Sequence, residues 1–254
     1  MTPAGYRVLP AIYDRWQLTY GKDYSSLIFP RLLQTFRRYA IAASTLVDIA
    51  CGTGSLALLL RPYGWHVMCV DASAGMVREA RKKCTIHRPQ ITVSHQDMRQ
   101  LRLRPRYNVA TCMFDSVNHL TTLRDLRAAF GGISRALKPG GWFIFDVNND
   151  LCFRTLWKGT QTVEHRAFTL HLESDYNIRE RRAHSRVKLS WQGSHRRRVQ
   201  EEVVTERCFS RAELKRTLDA AGFYVHSAED FNFADVPGMA GLKTLWVAQK
   251  TNGR

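Results

Sequence analysis

The run Val47-Asp48-Ile49-Ala50-Cys51-Gly52-Thr53-Gly54-Ser55-Leu56-Ala57 constrains the fold of this chain more than any other stretch. It reads as a strand entering a glycine-rich turn and leaving it as a helix. Glycines at 52 and 54 allow positive φ and let a ligand approach the main chain where a Cβ would collide. Taken alone, this G-x-G-x-x-A pattern would equally announce a dinucleotide. Asp48 separates the two readings: a carboxylate at the end of the first strand would face the pyrophosphate of a dinucleotide, whereas it suits a ligand carrying a cation. Asp71 ends the next strand, where a carboxylate can accept both hydroxyls of a ribose.

From Thr45 onward, short apolar runs alternate with amphipathic stretches, the rhythm of βαβ units in a largely parallel sheet. The expected strands are Thr45 to Ala50, His66 to Val70, Ile91 to Ser94, Tyr107 to Met113 and Trp142 to Val147. The expected helices between them are Gly54 to Arg61, Ala74 to Cys84, and Leu123 to Leu137, the last stopped by Pro139-Gly140-Gly141. Ahead of this core, two helices around Ala11 to Tyr20 and Ser25 to Ala42 look like a lid. After it the rhythm breaks: Thr162 to Leu172 and Arg186 to Gln192 favour strands. A capping box, Ser210 with Glu213, then opens a helix to Ala221. Strands Phe223 to Ala228 and Lys243 to Gln249 complete the sheet. The fold class is therefore α/β, a doubly wound, mostly parallel seven-stranded sheet. Its expected parts are a helical lid (1–44), a ligand-binding core (45–150), an antiparallel β insertion (151–208) and a carboxyl-terminal part of the core sheet (209–254).

With 254 residues, 44% of them hydrophobic, the chain can bury the core of one large domain with a modest elaboration. Its six cysteines are scattered without a C-x-x-C pair, and no histidine cluster has metal spacing, so neither a disulfide framework nor a metal site is expected. Polar and basic residues interrupt the amino terminus before any signal-like apolar core, and no apolar run reaches the roughly 18 residues of a spanning helix. A cytoplasmic protein without a membrane partner is the expectation. The net charge of +16 would attract phosphates and other anions. Its carriers include Arg78, Arg81, Lys82 and Lys83, then Arg99, Arg102, Arg104 and Arg106, then Arg196, Arg197 and Arg198. Such runs more often solvate a surface than bind a partner.

The ordered segments D-I-A-C-G-T-G, V-D-A-S-A-G-M, Q-D-M and L-K-P-G-G-W-F-I-F-D resemble the successive motifs of class I S-adenosylmethionine-dependent methyltransferases, over about Thr45 to Asn148. The resemblance implies S-adenosylmethionine as cofactor. Asp48, Ala50, Gly52 and Gly54 would line its methionine end and Asp71 its ribose. Ala72 and Met76 would flank one side of the adenine, and Asp97 and Met98 would hold it. Phe114 would sit near the sulfonium, with Tyr13 or Tyr24 of the lid as further aromatic contacts. Each has a plainer alternative: Asp48 as a cap of the loop amides, Asp71 as a helix cap, Asp97 as a turn residue, Met76 and the tyrosines as core.

The segment Phe114-Asp115-Ser116-Val117-Asn118-His119 follows the fourth strand, at the edge where open α/β sheets bind ligands. His119 is the candidate general base, against a structural histidine, and Asp115 a candidate for orienting an amine. Base-modifying nucleic-acid methyltransferases of this fold carry D/N-P-P-Y/F here, which this chain lacks. Further on, E-R-C-F-S-R-A-E-L and L-D-A-A-G-F resemble the carboxyl-terminal part of small-molecule N- and O-methyltransferases whose β insertion roofs the acceptor pocket. That would make Trp157, His165, His171, Tyr176, Trp191 and Arg207 possible acceptor contacts. Methyl transfer to a nitrogen or oxygen of a small molecule is the leading expectation. A methyltransferase acting on RNA or another polyanion remains open because of the charge, as does a catalytically silent binding module.

Overall fold

The computed structural model describes residues 6–19, 23–87, 89–104, 107–192, 199–231 and 241–252. Ahead of the sheet lie α1 (Tyr13–Leu18) and α2 (Tyr24–Arg38). The core then runs β1 (Thr45–Ile49), α3 (Ser55–Leu60), β2 (His66–Asp71), α4 (Ala74–Cys84), β3 (Ile91–His95), β4 (Tyr107–Cys112), α5 (Leu123–Ala136) and β5 (Leu137–Asn148). A short α6 (Asp150–Leu156) leads into β6 (Gly159–His165), β7 (Phe168–Asn177), β8 (Arg182–Trp191) and β9 (Val199–Arg207). The chain closes with α7 (Arg211–Ala220), β10 (Phe223–Phe231) and β11 (Lys243–Lys250).

The seven-stranded sheet has the order β10-β11-β5-β4-β1-β2-β3. Strands β1 to β5 are parallel, while β11 runs antiparallel to both β5 and β10. The inner strands β1, β4, β5 and β11 are largely buried on both faces, so much of their length reads as apolar runs, while the edge strands β3 and β10 alternate with exposed residues. On one face, Val47, Ile49, Phe143 and Phe145 pack against Leu126, Phe130 and Ile133 of α5 and Leu214 and Leu218 of α7. On the other, Leu46, Val67, Val109 and Ile144 pack against Ile28, Leu32 and Phe36 of α2 and Leu56 and Leu60 of α3. Because β1 lies between β4 and β2, consecutive crossovers part on either side of it. That opens a crevice at the strands' carboxyl ends.

The remaining strands form a separate antiparallel sheet, β6-β7-β8-β9. Its apolar face, including Val163, Phe168, Leu170, Val187, Leu189 and Val204, shares one cluster with Val8, Leu9, Ile12 and Tyr13. The segment before the core and the insertion after it are thus held together by a common apolar interior.

Three local expectations are corrected. The helix α5 ends at Ala136, and Pro139-Gly140-Gly141 lies inside β5 instead of ahead of it. Leu137 already pairs with Tyr107, and the ladder shifts register before Val109 meets Trp142. Gly140 takes φ +73°, and a Cβ on Gly141 would stand 2.9 Å from the Lys138 carbonyl oxygen. These glycines therefore absorb the irregularity that a breaker would otherwise turn into a loop. The single strand expected over Thr162 to Leu172 is a hairpin, turned at Arg166 and Ala167. The helix α6 was not anticipated; its start is marked only by Asn149, whose side chain accepts from the Cys152 N–H at 3.1 Å. The capping box at Ser210 and Glu213 is present as expected. Arg106 and the triplet Arg196, Arg197 and Arg198 lie outside the described residues. No helix among the described residues is long and apolar enough to cross a membrane.

Candidate active site

The crevice is built first by the turn after β1. Ala50, Gly52 and Gly54 all take positive φ, at +56°, +56° and +80°. The turn is pinned from β2: the Cys51 N–H donates to the Val70 carbonyl at 3.1 Å, and the Gly52 N–H to Asp71 Oδ2 at 2.9 Å. The other Asp71 oxygen accepts from the Ser73 N–H at 2.7 Å. Asp71 is thus both loop clamp and pocket wall, and burial pushes its carboxyl up to about 6 against the pull of these N–H donors. Asp48 is 3% exposed and accepts from the Thr111 hydroxyl at 2.7 Å; burial pushes it up to about 7. Asp97 is held below the ordinary carboxylate range although burial opposes this, because Arg99 donates to both its oxygens through its guanidinium and again through its backbone N–H.

One pocket gathers nearly all the candidates: Tyr13, Tyr24, Asp48, Ala50, Gly52, Asp71, Ala72, Met76, Asp97, Met98, Phe114 and His119 all line it. Gly54 does not. A Cβ there would lie 3.0 Å from Cys84 Sγ and 3.5 Å from Ala80 Cβ, so this glycine serves the approach of α4 to the turn and not a ligand. Asp115 also falls outside the lining. Its carboxylate is buried and paired with the Lys243 ammonium, which corrects its reading as the group that orients an amine. None of Trp157, His165, His171, Tyr176, Trp191 and Arg207 lines the pocket either. They are used within the insertion and its neighbours: His165 stacks on Phe168, Tyr176 stacks on Phe153, Trp191 donates to Gln200, and Arg207 pairs with Glu213 at 2.8 Å. The insertion reaches the pocket through Thr205.

Over the crevice, Phe114 and Asp115 follow one another with φ +59° and +49°. Two such non-glycine residues cost on the order of 1–3 kcal/mol each. Asp146, fully buried at the end of β5, holds them: its Oδ2 accepts from the Phe114 N–H at 3.0 Å and its Oδ1 from the Asp115 N–H. It also accepts from the Tyr24 hydroxyl, and the Lys243 ammonium lies 3.5 Å away. Tyr24 then stacks on Phe114 with ring centroids 4.4 Å apart, so the start of α2 is tied to the same carboxylate that fixes the loop. Lys243 stays above its ordinary value: burial works against the ammonium, but Asp115 and Asp146 outweigh it.

His119 Nε2 lies 3.2 Å from the Tyr6 hydroxyl and 3.6 Å from Glu206 Oε1. Burial lowers its pKa, with Asp115 pulling the other way, so a neutral imidazole faces the pocket. A base in reach of a bound molecule, beside an oriented phenol, is the chemical resource of this end. The sequence reading missed Tyr6, Asp146, Glu206 and Lys243. Asp146 had a signal, a carboxylate closing the apolar run W-F-I-F-D; the others gave none, because their partners lie far away in the chain.

Residues 46–141 match the family described as a methyltransferase domain. The chain is 34% identical over 131 residues to dTDP-3-amino-3,4,6-trideoxy-alpha-D-glucopyranose N,N-dimethyltransferase of Streptomyces venezuelae, covering 51% of this chain and 53% of that protein. It is 25% identical over 210 residues to the putative methyltransferase YqeM of Bacillus subtilis (strain 168), covering 81% and 84%. The chain thus spans about half the length of the first of these relatives. Among solved structures, an S-adenosylmethionine-dependent methyltransferase from Clostridium acetobutylicum ATCC 824 superposes with a TM-score of 0.80 at 20% identity, covering 97% of this chain and 99% of that one. DesVI of Streptomyces venezuelae superposes with a TM-score of 0.73 at 25% identity, covering 95% and 98%.

Replacing Asp146 tests how much the loop depends on it. Asp146→Ala strands four donors and unbalances a buried ion pair, a loss expected at roughly 3–5 kcal/mol. It is read as a lowered denaturation midpoint at unchanged slope. A loss under about 1 kcal/mol would show that the strained loop is held by something else.

Proposed function

We propose that this chain, which carries a methyltransferase domain of the class I S-adenosylmethionine-dependent family, methylates an amine nitrogen of a small molecule. The observation that carries the reading is one continuous pocket, with three carboxylates at the donor end and neutral His119 beside Tyr6 at the other, under the amino-terminal helices. The sugar N,N-dimethyltransferase among the relatives supports nitrogen and favours an amino sugar. The net charge of +16 fits an acceptor that carries phosphates, as a nucleotide-linked sugar does.

The donor's roles follow from the walls. Asp71 offers its remaining lone pairs to the ribose hydroxyls, Asp48 faces the ammonium of the methionine moiety, and Asp97 with Met98 borders the adenine. Gly52 leaves the backbone bare beside the ligand. S-adenosylmethionine supplies a methyl group already activated by its positive sulfur. The chain's own task is positioning, worth on the order of 7–11 kcal/mol at best. Phe114 and Tyr24 wall the transfer point with aromatic faces, which favour a cation. An amine arrives mostly as its ammonium form and must lose a proton before it can attack. His119, kept neutral by burial, takes that proton.

Donor binding is expected to depend on pH with a definite sign. Free Asp48, at about 7, is partly protonated near neutrality, and an ammonium beside it favours the carboxylate. Affinity for S-adenosylhomocysteine, the demethylated donor, should therefore fall as pH drops from about 8 to about 6, with proton release on binding near pH 7. Calorimetry in buffers of different ionisation enthalpy measures both. A flat profile would remove Asp48 from the ammonium.

The base assignment and the acceptor class share one experiment, transfer of label from methyl-tritiated donor into size-fractionated, nuclease-treated extract. Label should enter small, nuclease-resistant amines and change little between 50 and 200 mM salt. Label in nuclease-sensitive material, with activity falling about 10³-fold over that range, would favour the polyanion reading. His119→Ala should lower turnover by about 10²–10⁴ with donor affinity unchanged. Full activity in that variant would reject the base.

A further inference from the structure

The strap formed by residues 6–11, ahead of α1, touches both the core and the insertion. Tyr6 lines the pocket, and its carbonyl accepts from Ser73 Oγ at 2.9 Å, while the Ser73 N–H goes to Asp71. Its hydroxyl lies 3.2 Å from His119 Nε2. Pro10 packs so closely on α4 that a Cβ on Gly75 would stand 2.8 Å from its ring. On the far side the strap meets β9, where buried Glu202 and Val204 alternate with exposed Glu201 and Val203.

Glu202 is the residue of this contact that packing does not explain. It is 5% exposed, neighbours Val204 of the apolar cluster and does not line the pocket. Its Oε2 accepts from two successive N–H groups of the strap, Arg7 at 2.7 Å and Val8 at 3.2 Å. Its Oε1 is buried with no hydrogen-bond partner among the described residues. The preceding Tyr6 takes φ +64°, a left-handed conformation that a non-glycine residue keeps when its surroundings hold it there.

We propose that Glu202 is a positioning residue that latches the strap shut over the bound donor, aiming Tyr6 at His119, and releases it for ligand exchange. The proposal rests on the pocket holding the donor and is independent of His119 acting as base. Two N–H groups on one carboxylate oxygen favour the closed strap. The unpartnered oxygen and the left-handed Tyr6 oppose it, because opening lets water reach both carboxylate oxygens and lets Tyr6 relax. These opposed terms bring the two states close in free energy, so a ligand that favours one of them decides the balance. Tyr6 and Ser73 join the strap to the pocket wall beside Asp71, and a donor seated there adds its contacts to the closed state alone. An apolar residue at 202 would pack as well but would strand two backbone donors, and a fully satisfied carboxylate would hold the product in.

The test uses the full chain, S-adenosylhomocysteine as ligand and trypsin as probe. The peptide bond after Arg7 carries the Val8 N–H that Glu202 holds, so cleavage there requires the strap to open. Followed by mass spectrometry, that cut should slow about tenfold in saturating ligand, while the cut after exposed Arg179 in the β7–β8 turn keeps its rate. Glu202→Ala should speed the Arg7 cut about tenfold without ligand and raise the dissociation rate of S-adenosylhomocysteine by a similar factor. Glu202→Gln can keep an oxygen against both N–H groups and should stay within about threefold of the unmodified protein in both readings. An Arg7 cut that ligand leaves unchanged would overturn the inference with no variant needed. So would a Glu202→Ala protein that releases the ligand at the unmodified rate, since a purely structural Glu202 would lower stability without touching release. Failure of the donor reading looks different: the unmodified protein would not bind S-adenosylhomocysteine at all, and closure over the donor would fall with it.

Discussion

The architecture of the site turns on the Asp146 carboxylate. It is fully buried at the end of β5, and it accepts from two consecutive backbone N–H groups whose residues are left-handed and not glycine. Without such an acceptor the Phe114–Asp115 turn would relax toward ordinary backbone, and Phe114 would leave the pocket wall. The same carboxylate takes the Tyr24 hydroxyl, so the entry of α2 is placed by the group that stores the strain. Lys243, from the last strand, closes the set. Residues spread over some 220 positions of sequence thereby meet at one point.

That convergence sets what the pocket can be. The segment ahead of the core is fastened below by Tyr24 and laterally by Lys83, which bridges Asp14 at 2.6 Å and Thr53 at 2.8 Å. It is fastened above by Glu202, which accepts from the Arg7 and Val8 N–H groups at 2.7 and 3.2 Å. These anchors are a few polar contacts, and the apolar cluster shared with the insertion does the rest.

The core's share of the pocket lining was legible in the sequence because its signals are local. Asp48, Gly52, Asp71 and Asp97 sit at strand ends fixed by the βαβ rhythm, and each lines the pocket. Gly54 misled because a glycine in a turn announces a bare backbone without saying which side is approached; here it is the side of α4. The insertion's share was largely illegible. The insertion's aromatics and histidines look like ligands by composition, yet the sheet's alternation spends them on stacking and cross-strand contacts. Glu206 and Lys243 carry no local mark, since their meaning lies in a pairing across 87 and 128 residues with the loop after β4.

The charge distribution joins these halves. The chain is strongly basic overall, yet its pocket and the shell behind it hold Asp48, Asp71, Asp97, Asp115, Asp146 and Glu206. A uniformly basic site would repel both a sulfonium donor and an ammonium acceptor, and a uniformly acidic protein would repel anything carrying phosphate. Basic outside and acidic within resolves the conflict, because surface potential acts at long range while the buried carboxylates act only on what has entered. On the reading proposed above, a phosphate-bearing molecule with a free amine is the acceptor that both fields would favour, its anionic end toward solvent.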